Sequence, residues 1–181
     1  MSVTFCEFQY LSGHLHSVTF PSSSAFSGQK CSRCPHNWLL INFTCYLFST
    51  DKMNWLKSQD QCKSDRGHLV IIESEEEQDF LTALVEMEGR EDKSYWIGLT
   101  DQNIEGDFVW VDEMPLDKQK TFWAKRDHDH GQEPDNWIEE SISPGEDCVH
   151  LQKSKIYSGW YDAGCEMQKK RICEAPCSVH G

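Results

Sequence analysis

Four carboxylates lie within thirty residues in the C-terminal half of the chain, at Glu133, Asp135, Glu146 and Asp162. Turn-forming glycine and proline residues lie among them, and two cysteines stand beside them. Calcium prefers six to eight hard oxygen ligands in a flexible geometry, which acidic side chains on adjacent loops supply. A calcium ion held in this way keeps open coordination positions that vicinal sugar hydroxyls can fill. The pattern therefore predicts a calcium-dependent sugar-binding site.

Catalysis is a competing interpretation of the same acidic residues, because paired carboxylates can hydrolyse glycosides. Four clustered acids beside proline and glycine suit a metal better than an acid–base pair. The chain has no G-x-S-x-G or H-E-x-x-H motif, and its cysteines are expected in bridges rather than in thiolate chemistry. We therefore predict that the protein is not an enzyme.

Zinc is the other metal to consider, because Cys31-Ser32-Arg33-Cys34 has C-x-x-C spacing. A structural zinc site needs a second ligand pair, and the remaining cysteines are scattered singly along the chain. The segment Asp127-His128-Asp129-His130 places two histidines two residues apart but shows no fixed third ligand. We interpret that segment as a solvated loop and disfavour zinc.

Composition narrows the class of protein further. A length of 181 residues suits one domain with some tail. The net charge of −13 argues against nucleic acid and anionic membranes as partners and is consistent with cation binding. Nine cysteines indicate an oxidising compartment, and the odd number leaves one without a partner in the chain.

The location predicted from these features is extracellular or at the cell surface. Asn42-Phe43-Thr44 is an acceptor sequence for N-glycosylation, which predicts a glycan on Asn42. No run of eighteen apolar residues is present, and the first thirty residues lack the pattern of a signal peptide. We therefore expect the export signal or membrane anchor to lie outside these 181 residues.

The elements that must position the acidic residues form an α+β pattern. Residues 1–30 have the composition of a linker, and residues 112–147 form a long loop region rich in Asp, Pro and Gly. Two helices are predicted, at 55–63 and from a capping box at Ser74 and Glu77 to Gly89. Short strands are predicted at 34–38, 45–49, 69–72, 95–99, 108–111, 148–151, 159–161 and 170–173.

Residues 34–174 resemble a C-type lectin-like domain along almost their whole length. Each matching motif is short, but their number and order are typical of that family. The motifs are Cys34-Pro-x-x-Trp38, Cys45-Tyr46-x-Phe48-Ser49, Trp55 with Cys62, His68-Leu69-Val70-x-Ile72, Glu75-x-x-x-Asp79-Phe80, Trp96-Ile97-Gly98-Leu99, Val109-Trp110-Val111-Asp112, Gly145-Glu146-Asp147-Cys148 and Ile172-Cys173-Glu174. The chain is similar to the long form of the domain found in asialoglycoprotein receptors and dendritic-cell lectins.

The resemblance implies a fold of two helices, two small antiparallel sheets and a long calcium-binding loop region, braced by disulfides. The implied bridges are Cys62–Cys173, Cys148–Cys165, Cys34–Cys45 of the long form, and an outer bridge Cys31–Cys177. Cys6 then remains as the ninth cysteine. We expect the domain to span residues 31–177, after the linker at 1–30 and before a tail at 178–181.

The site residues of the family can be carried over by position. The sugar-binding calcium corresponds to Glu133, Asp135, Glu146 and Asp162, and Tyr161 replaces the asparagine that completes the family's set. A phenol is a poor and bulky calcium ligand. Four carboxylates without an amide also leave the sugar hydroxyls without N–H donors, at a cost of about 1–1.5 kcal/mol for each hydrogen bond not made. We expect calcium to be retained and sugar affinity to be reduced.

Three further features follow from the resemblance. The family places the peptide bond before Pro134 in cis. An auxiliary calcium site maps onto Asp101, Glu105, Asn136, Glu146 and Asp147. Trp137 stands where galactose-binding members stack a tryptophan on the sugar, although a core or loop-anchoring role is an equal alternative.

The function implied is calcium-dependent carbohydrate binding by the extracellular head of a receptor in innate immune or endocytic glycan recognition. The sugar-binding residues are then Glu133, Asp135, Trp137, Glu146 and Tyr161. The preferred sugar stays open, because Glu133 favours mannose or fucose whereas Asp135 with Trp137 favours galactose. The alternative is a calcium-independent, lectin-like receptor domain that binds a protein. Oligomers can form through the flanking regions.

Overall fold

The computed structural model describes residues 31–87, 93–126, 131–137, 145–153 and 158–179. The predicted linker at 1–30, the helix end at Gly89 and the segment 127–130 lie outside these ranges. The helices are α1 (Trp55–Ser64) and α2 (Glu75–Met87). The strands are β1 (Cys31–Arg33), β2 (Leu39–Ile41), β3 (Thr44–Phe48), β4 (His68–Leu69), β5 (Ser94–Thr100), β6 (Val109–Trp110), β7 (Lys125–Arg126), β8 (Gly131–Gln132), β9 (Cys148–Lys153), β10 (Ser158–Ala163), β11 (Lys170–Pro176) and β12 (Ser178–Val179).

Both helices begin at side-chain caps. The Asn54 side chain accepts a hydrogen bond from the backbone N–H of Lys57 at 2.9 Å, which starts α1. At α2, the Ser74 hydroxyl accepts from the N–H of Glu77 at 3.2 Å, as the capping box predicts. The Glu77 carboxylate reaches back one residue further than expected, to the N–H of Glu73 at 3.1 Å. Neither helix in the described residues is long and apolar enough to cross a bilayer.

An eight-stranded sheet carries the architecture, in the order β10-β9-β5-β11-β3-β2, with β4 beside β11 and β6 beside β5. The α+β class is confirmed. The parallel pairing of β11 with β5 joins strands that were expected in two small antiparallel sheets. Two short pairs, β1–β12 and β7–β8, stand apart from the large sheet.

Two strand predictions were wrong in detail. Residues 34–38 form a turn, closed by a hydrogen bond from the Trp38 N–H to the Pro35 carbonyl at 3.1 Å, and the strand starts at Leu39. The strand predicted at 69–72 is limited to His68–Leu69. The short strands β7 and β8 also lie within the long region expected to be irregular.

Trp160 on β10 lies at the centre of the core beneath the long loop region. Its side chain is fully buried, and its ring packs edge-on against Trp110, Phe122 and Trp123 at centroid distances of 5.6, 5.2 and 5.6 Å. Its indole N–H donates to the side chain of Gln78 on α2 at 2.8 Å. The strand that carries Asp162 is therefore anchored to both a helix and the loop region.

Three disulfides brace the described residues as the resemblance implies: Cys34–Cys45, Cys62–Cys173 and Cys148–Cys165. The second bridge closes a loop with a sequence separation of 111, for which chain entropy predicts about 4–5 kcal/mol of stabilisation. Cys177 is disulfide-bonded, and β1 pairs with β12. The side chain of Cys31 lies outside the described atoms, so the outer bridge stays a prediction.

The glycosylation sequence occupies the turn between β2 and β3. Asn42 and Phe43 both have positive φ, at 45° and 70°, as two-residue hairpin turns require. Both side chains are exposed, and that of Phe43 is 70% accessible. The turn therefore presents Asn42 to solvent, and its glycosylation stays a prediction.

Glu174 on β11 places a carboxyl group under the β4 edge of the sheet. It accepts a hydrogen bond from the Ile71 N–H at 2.7 Å, and His68 Nδ1 lies 3.6 Å from its carboxylate. Burial, followed by the negative charges of Glu77, Glu73 and Asp112, raises the pKa of Glu174 to about 8. The folded chain therefore holds this group protonated at neutral pH.

We expect Glu174→Gln to flatten the pH dependence of stability. An unfolded glutamate loses its proton near pH 4.5, whereas folded Glu174 keeps its proton to about pH 8. The folded state binds more protons in this window, so it loses stability as the pH rises through it. Melting temperatures in chelator at several pH values measure the effect, with the exposed Glu86→Gln as control. Parallel curves for wild type and Glu174→Gln would contradict it.

Candidate functional site

Three of the four predicted calcium ligands come together in the structure. Glu133, Asp135 and Asp162 each offer a carboxylate oxygen, and these oxygens lie within 4.8 Å of one another. Glu133 and Asp162 are buried, at 3% and 6% exposure. Glu146 is not a member of this group of three, but its carboxylate interacts with Asp135 and accepts a hydrogen bond from the Trp137 N–H at 3.0 Å.

A chain of hydrogen bonds positions the acidic loop against the sheet. The Asp162 carboxylate accepts from the backbone N–H groups of Asp135 at 3.2 Å and Asn136 at 2.8 Å. The Asn136 side-chain oxygen in turn accepts from the Glu146 N–H at 2.9 Å. The Glu133–Pro134 peptide bond is cis, as the resemblance implies. The site residues therefore hold one another in place.

Gly145 allows the two segments of the loop to approach closely. Its φ of +133° is a conformation that side chains rarely adopt. A Cβ atom there would stand 2.8 Å from the Asn136 side-chain oxygen and 3.2 Å from a carboxylate oxygen of Asp147. Any other residue would push Asn136 away from Glu146.

The electrostatics of the site favour a cation. Burial, followed by the negative charges of Asp162 and Asp135, raises the pKa of Glu146 to about 7. The carboxylates of Glu146, Asp162 and Asp135 repel one another, and a bound divalent ion would relieve that repulsion. Carboxylates are the hard oxygen ligands that calcium prefers, so the donor set fits this ion.

The predicted auxiliary calcium site contains a buried carboxylate oxygen of Asp101 that has no hydrogen-bond partner within the described residues. Asp101 is 2% exposed, and its Oδ2 accepts from the Gly106 N–H at 2.8 Å. Its Oδ1 is buried and makes no hydrogen bond within the described residues. Burial, then the charges of Glu105 and Asp147, raises the pKa of Asp101 to about 6. A buried carboxylate oxygen left without a partner is costly, and a bound cation would satisfy it.

An open cavity of about 500 Å³ lies over the carboxylate group. The predicted sugar-binding residues Glu133, Asp135, Trp137, Glu146 and Tyr161 all line it, together with Asp162. Trp137 is 58% exposed, which favours a contact surface for ligand over a core role. His150, Ala163, Met167 and Lys169 complete the lining, and sequence reasoning missed them.

Tyr161 forms part of the cavity wall. Tyr161 and Asp162 are consecutive on β10, and both line the cavity. The Tyr161 ring is 9% exposed and stacks on His150 at a centroid distance of 5.5 Å. His150 also contacts the Ser94 hydroxyl at 2.9 Å. Burial, followed by the positive charge of Lys169, lowers the pKa of His150 well below its ordinary value, which keeps the ring neutral.

The sequence contains little indication that Lys169 would line the cavity, beyond its position four residues after Cys165. It belongs to the run Lys169-Lys170-Arg171, of which Lys170 and Arg171 are 3% and 5% exposed. Composition alone does not separate the one basic side chain that reaches the cavity from the two that are buried.

Comparisons with known proteins identify the family of the chain. The family model described as "Lectin C-type domain" matches residues 51–175. Over 149 residues the chain is 38% identical to C-type lectin domain family 4 member E of Homo sapiens, covering 82% of this chain and 61% of that relative. The chain thus spans about three fifths of this relative's length.

Solved structures show the same relationship. The carbohydrate-recognition domain of the mouse scavenger receptor C-type lectin is 34% identical with a TM-score of 0.66, and the match covers 82% of this chain and all of that one. The C-type lectin domain of murine dendritic cell inhibitory receptor 2, in complex with N-glycan, is 28% identical with a TM-score of 0.61, covering 80% and 99%. The family is a carbohydrate-binding lectin domain and not an enzyme family. The chain therefore belongs to the C-type lectin domain family.

Proposed function

We propose that this chain is a calcium-dependent carbohydrate-binding domain, in the extracellular head of a cell-surface receptor for innate immune or endocytic glycan recognition. The observation that carries the proposal is the convergence of Glu133, Asp135 and Asp162, whose oxygens lie within 4.8 Å of one another. The three disulfides support an oxidising, extracellular location. The N-glycan complex of the murine relative supports glycans as the ligand class.

The residues divide the work of binding between them. Glu133, Asp135 and Asp162, with Glu146 alongside, would hold the ion, which when bound supplies open coordination positions for two neighbouring sugar hydroxyls. Carboxylate oxygens also accept hydrogen bonds from those hydroxyls. The exposed indole of Trp137 offers an apolar surface for the C–H face of the sugar, as galactose-type ligands require. Mannose- and fucose-type glycans remain part of the test, because Glu133 favours them.

We expect Asp162→Asn to weaken calcium binding by at least about tenfold and to abolish glycan retention in calcium, because it removes one of the clustered charges. The amide also keeps only one of the two oxygens that accept from the N–H groups of Asp135 and Asn136, so the loop is held less firmly as well. Calcium titration followed by tryptophan fluorescence measures the first effect, since Trp137 and Trp160 flank the site. A glycan array with and without chelator measures the second and compares galactose with mannose and fucose.

The matched control is Asp60→Asn, which removes an acidic group from the exposed face of α1. It should leave both readouts unchanged. A wild-type chain that shows no response at millimolar calcium would contradict the proposal. That outcome would support the alternative of a calcium-independent receptor domain with a protein ligand, which the buried Tyr161 in place of a family ligand residue favours.

We expect Asp101→Asn to remove the auxiliary calcium selectively. The variant should bind one ion fewer per chain by isothermal titration calorimetry, and calcium should raise its melting temperature less than that of wild type. In chelator it should be no less stable than wild type, because the buried charge of Asp101 is gone. Equal calcium stoichiometry in the two proteins would contradict a second site at this position.

A further inference from the structure

The carboxylate cluster lacks hydrogen-bond donors, and this deficit bears on what else contacts a glycan there. Sugar hydroxyls both donate and accept, whereas ionised carboxylates only accept. In this chain Asp135 and Tyr161 occupy positions at which amides would supply N–H groups. A glycan seated on four carboxylates therefore needs a donor from elsewhere in the cavity.

Lys169 supplies a donor in the same cavity. Its side chain lines the cavity together with the carboxylates, and an ammonium group carries three donors and no acceptor. Within the described lining, Lys169 bears the sole positive charge, since His150 is held neutral.

Both the backbone and the side-chain ammonium of Lys169 are held by neighbouring residues. Its backbone N–H donates to the Met53 carbonyl at 3.1 Å, and the Met53 N–H donates to the Lys169 carbonyl at 2.9 Å. The ammonium lies 5.4 Å from the ring centroid of Trp96, within the range of a cation–π contact. The Trp96 indole N–H donates to the same Met53 carbonyl at 2.9 Å. An isolated β-bridge to Met53 and the anchored ring of Trp96 thus hold the Lys169 ammonium in place before ligand arrives.

We propose that Lys169 is a ligand-binding residue whose ammonium donates hydrogen bonds to acceptor oxygens of an uncharged glycan seated on the carboxylate cluster. This inference rests on the proposed function, and it adds both a contact residue and a substrate class. The residue lies outside the set of carboxylates that would hold the ion.

The charge balance of the cavity selects an uncharged ligand. Glu133, Asp135, Glu146 and Asp162 bring four negative charges, against two positive charges from calcium and one from Lys169. One net negative charge remains, so a sulfate or carboxylate substituent on the glycan is repelled. Lys169 therefore serves as a hydrogen-bond donor to neutral hydroxyl and ring oxygens rather than as an anion site.

The test compares Lys169→Met with Lys169→Arg. Methionine keeps an unbranched apolar stem over Trp96 and removes the donors, whereas arginine keeps donors and charge. We expect both variants to bind calcium as wild type does. Affinity for a neutral glycan should fall about tenfold in Lys169→Met, which is the effect of losing one hydrogen bond to a charged donor, and should be largely kept in Lys169→Arg.

Lys57→Met, on the exposed face of α1, is the matched control and should change nothing. Unchanged glycan affinity in Lys169→Met, with calcium bound, overturns the inference and leaves the proposed function intact. Parallel losses of calcium and glycan binding in Lys169→Met also overturn it, because Lys169 would then be a structural counter-ion. Tighter wild-type binding of a sulfated glycan than of its neutral counterpart overturns the substrate class. A wild-type chain that binds no calcium overturns the proposed function itself.

Discussion

The hydrogen bonds from the acidic loop to the Asp162 carboxylate are the interaction on which the site depends. Asp162 lies on the edge strand of the large sheet and binds the backbone N–H groups of Asp135 and Asn136. Two residues earlier, the buried Trp160 ties the same strand to α2 through Gln78. A loop with little regular structure thereby takes its position from the hydrophobic core.

This arrangement gathers negative charge at a place where water is partly excluded. The raised pKa values of Glu146 and Asp101 show that the folded chain bears an electrostatic cost at both candidate cation sites. A ligand that binds only the folded state stabilises it by mass action. A cation that binds at either candidate site would therefore also stabilise the fold.

The departures of this chain from the family pattern have a common chemical theme. Asp135 and Tyr161 stand where the family pattern has amide donors, and Lys169 is among the residues that line the same cavity. Tyr161 contributes a buried aromatic wall by stacking on His150. Under the proposals made above, this cavity would offer carboxylate acceptors and an ammonium donor to ligands rich in hydroxyl groups.

Local signals in the sequence predicted the start of α2 at the Ser74 capping box and the first helix at 55–63 from its periodicity, whereas the Asn54 cap was seen only in the structure. The ordered motifs identified the fold family, three of its disulfides and its acidic residues. Helix capping depends on residues a few positions apart, and the cysteines form part of recognisable sequence motifs. Both can therefore be predicted without coordinates. The parallel join of β11 to β5, the place of Glu146 outside the group of three carboxylates and the exposure of Lys169 to the cavity were decided by tertiary structure. Each depends on which distant segments share a face, and neither residue type nor local period contains that information.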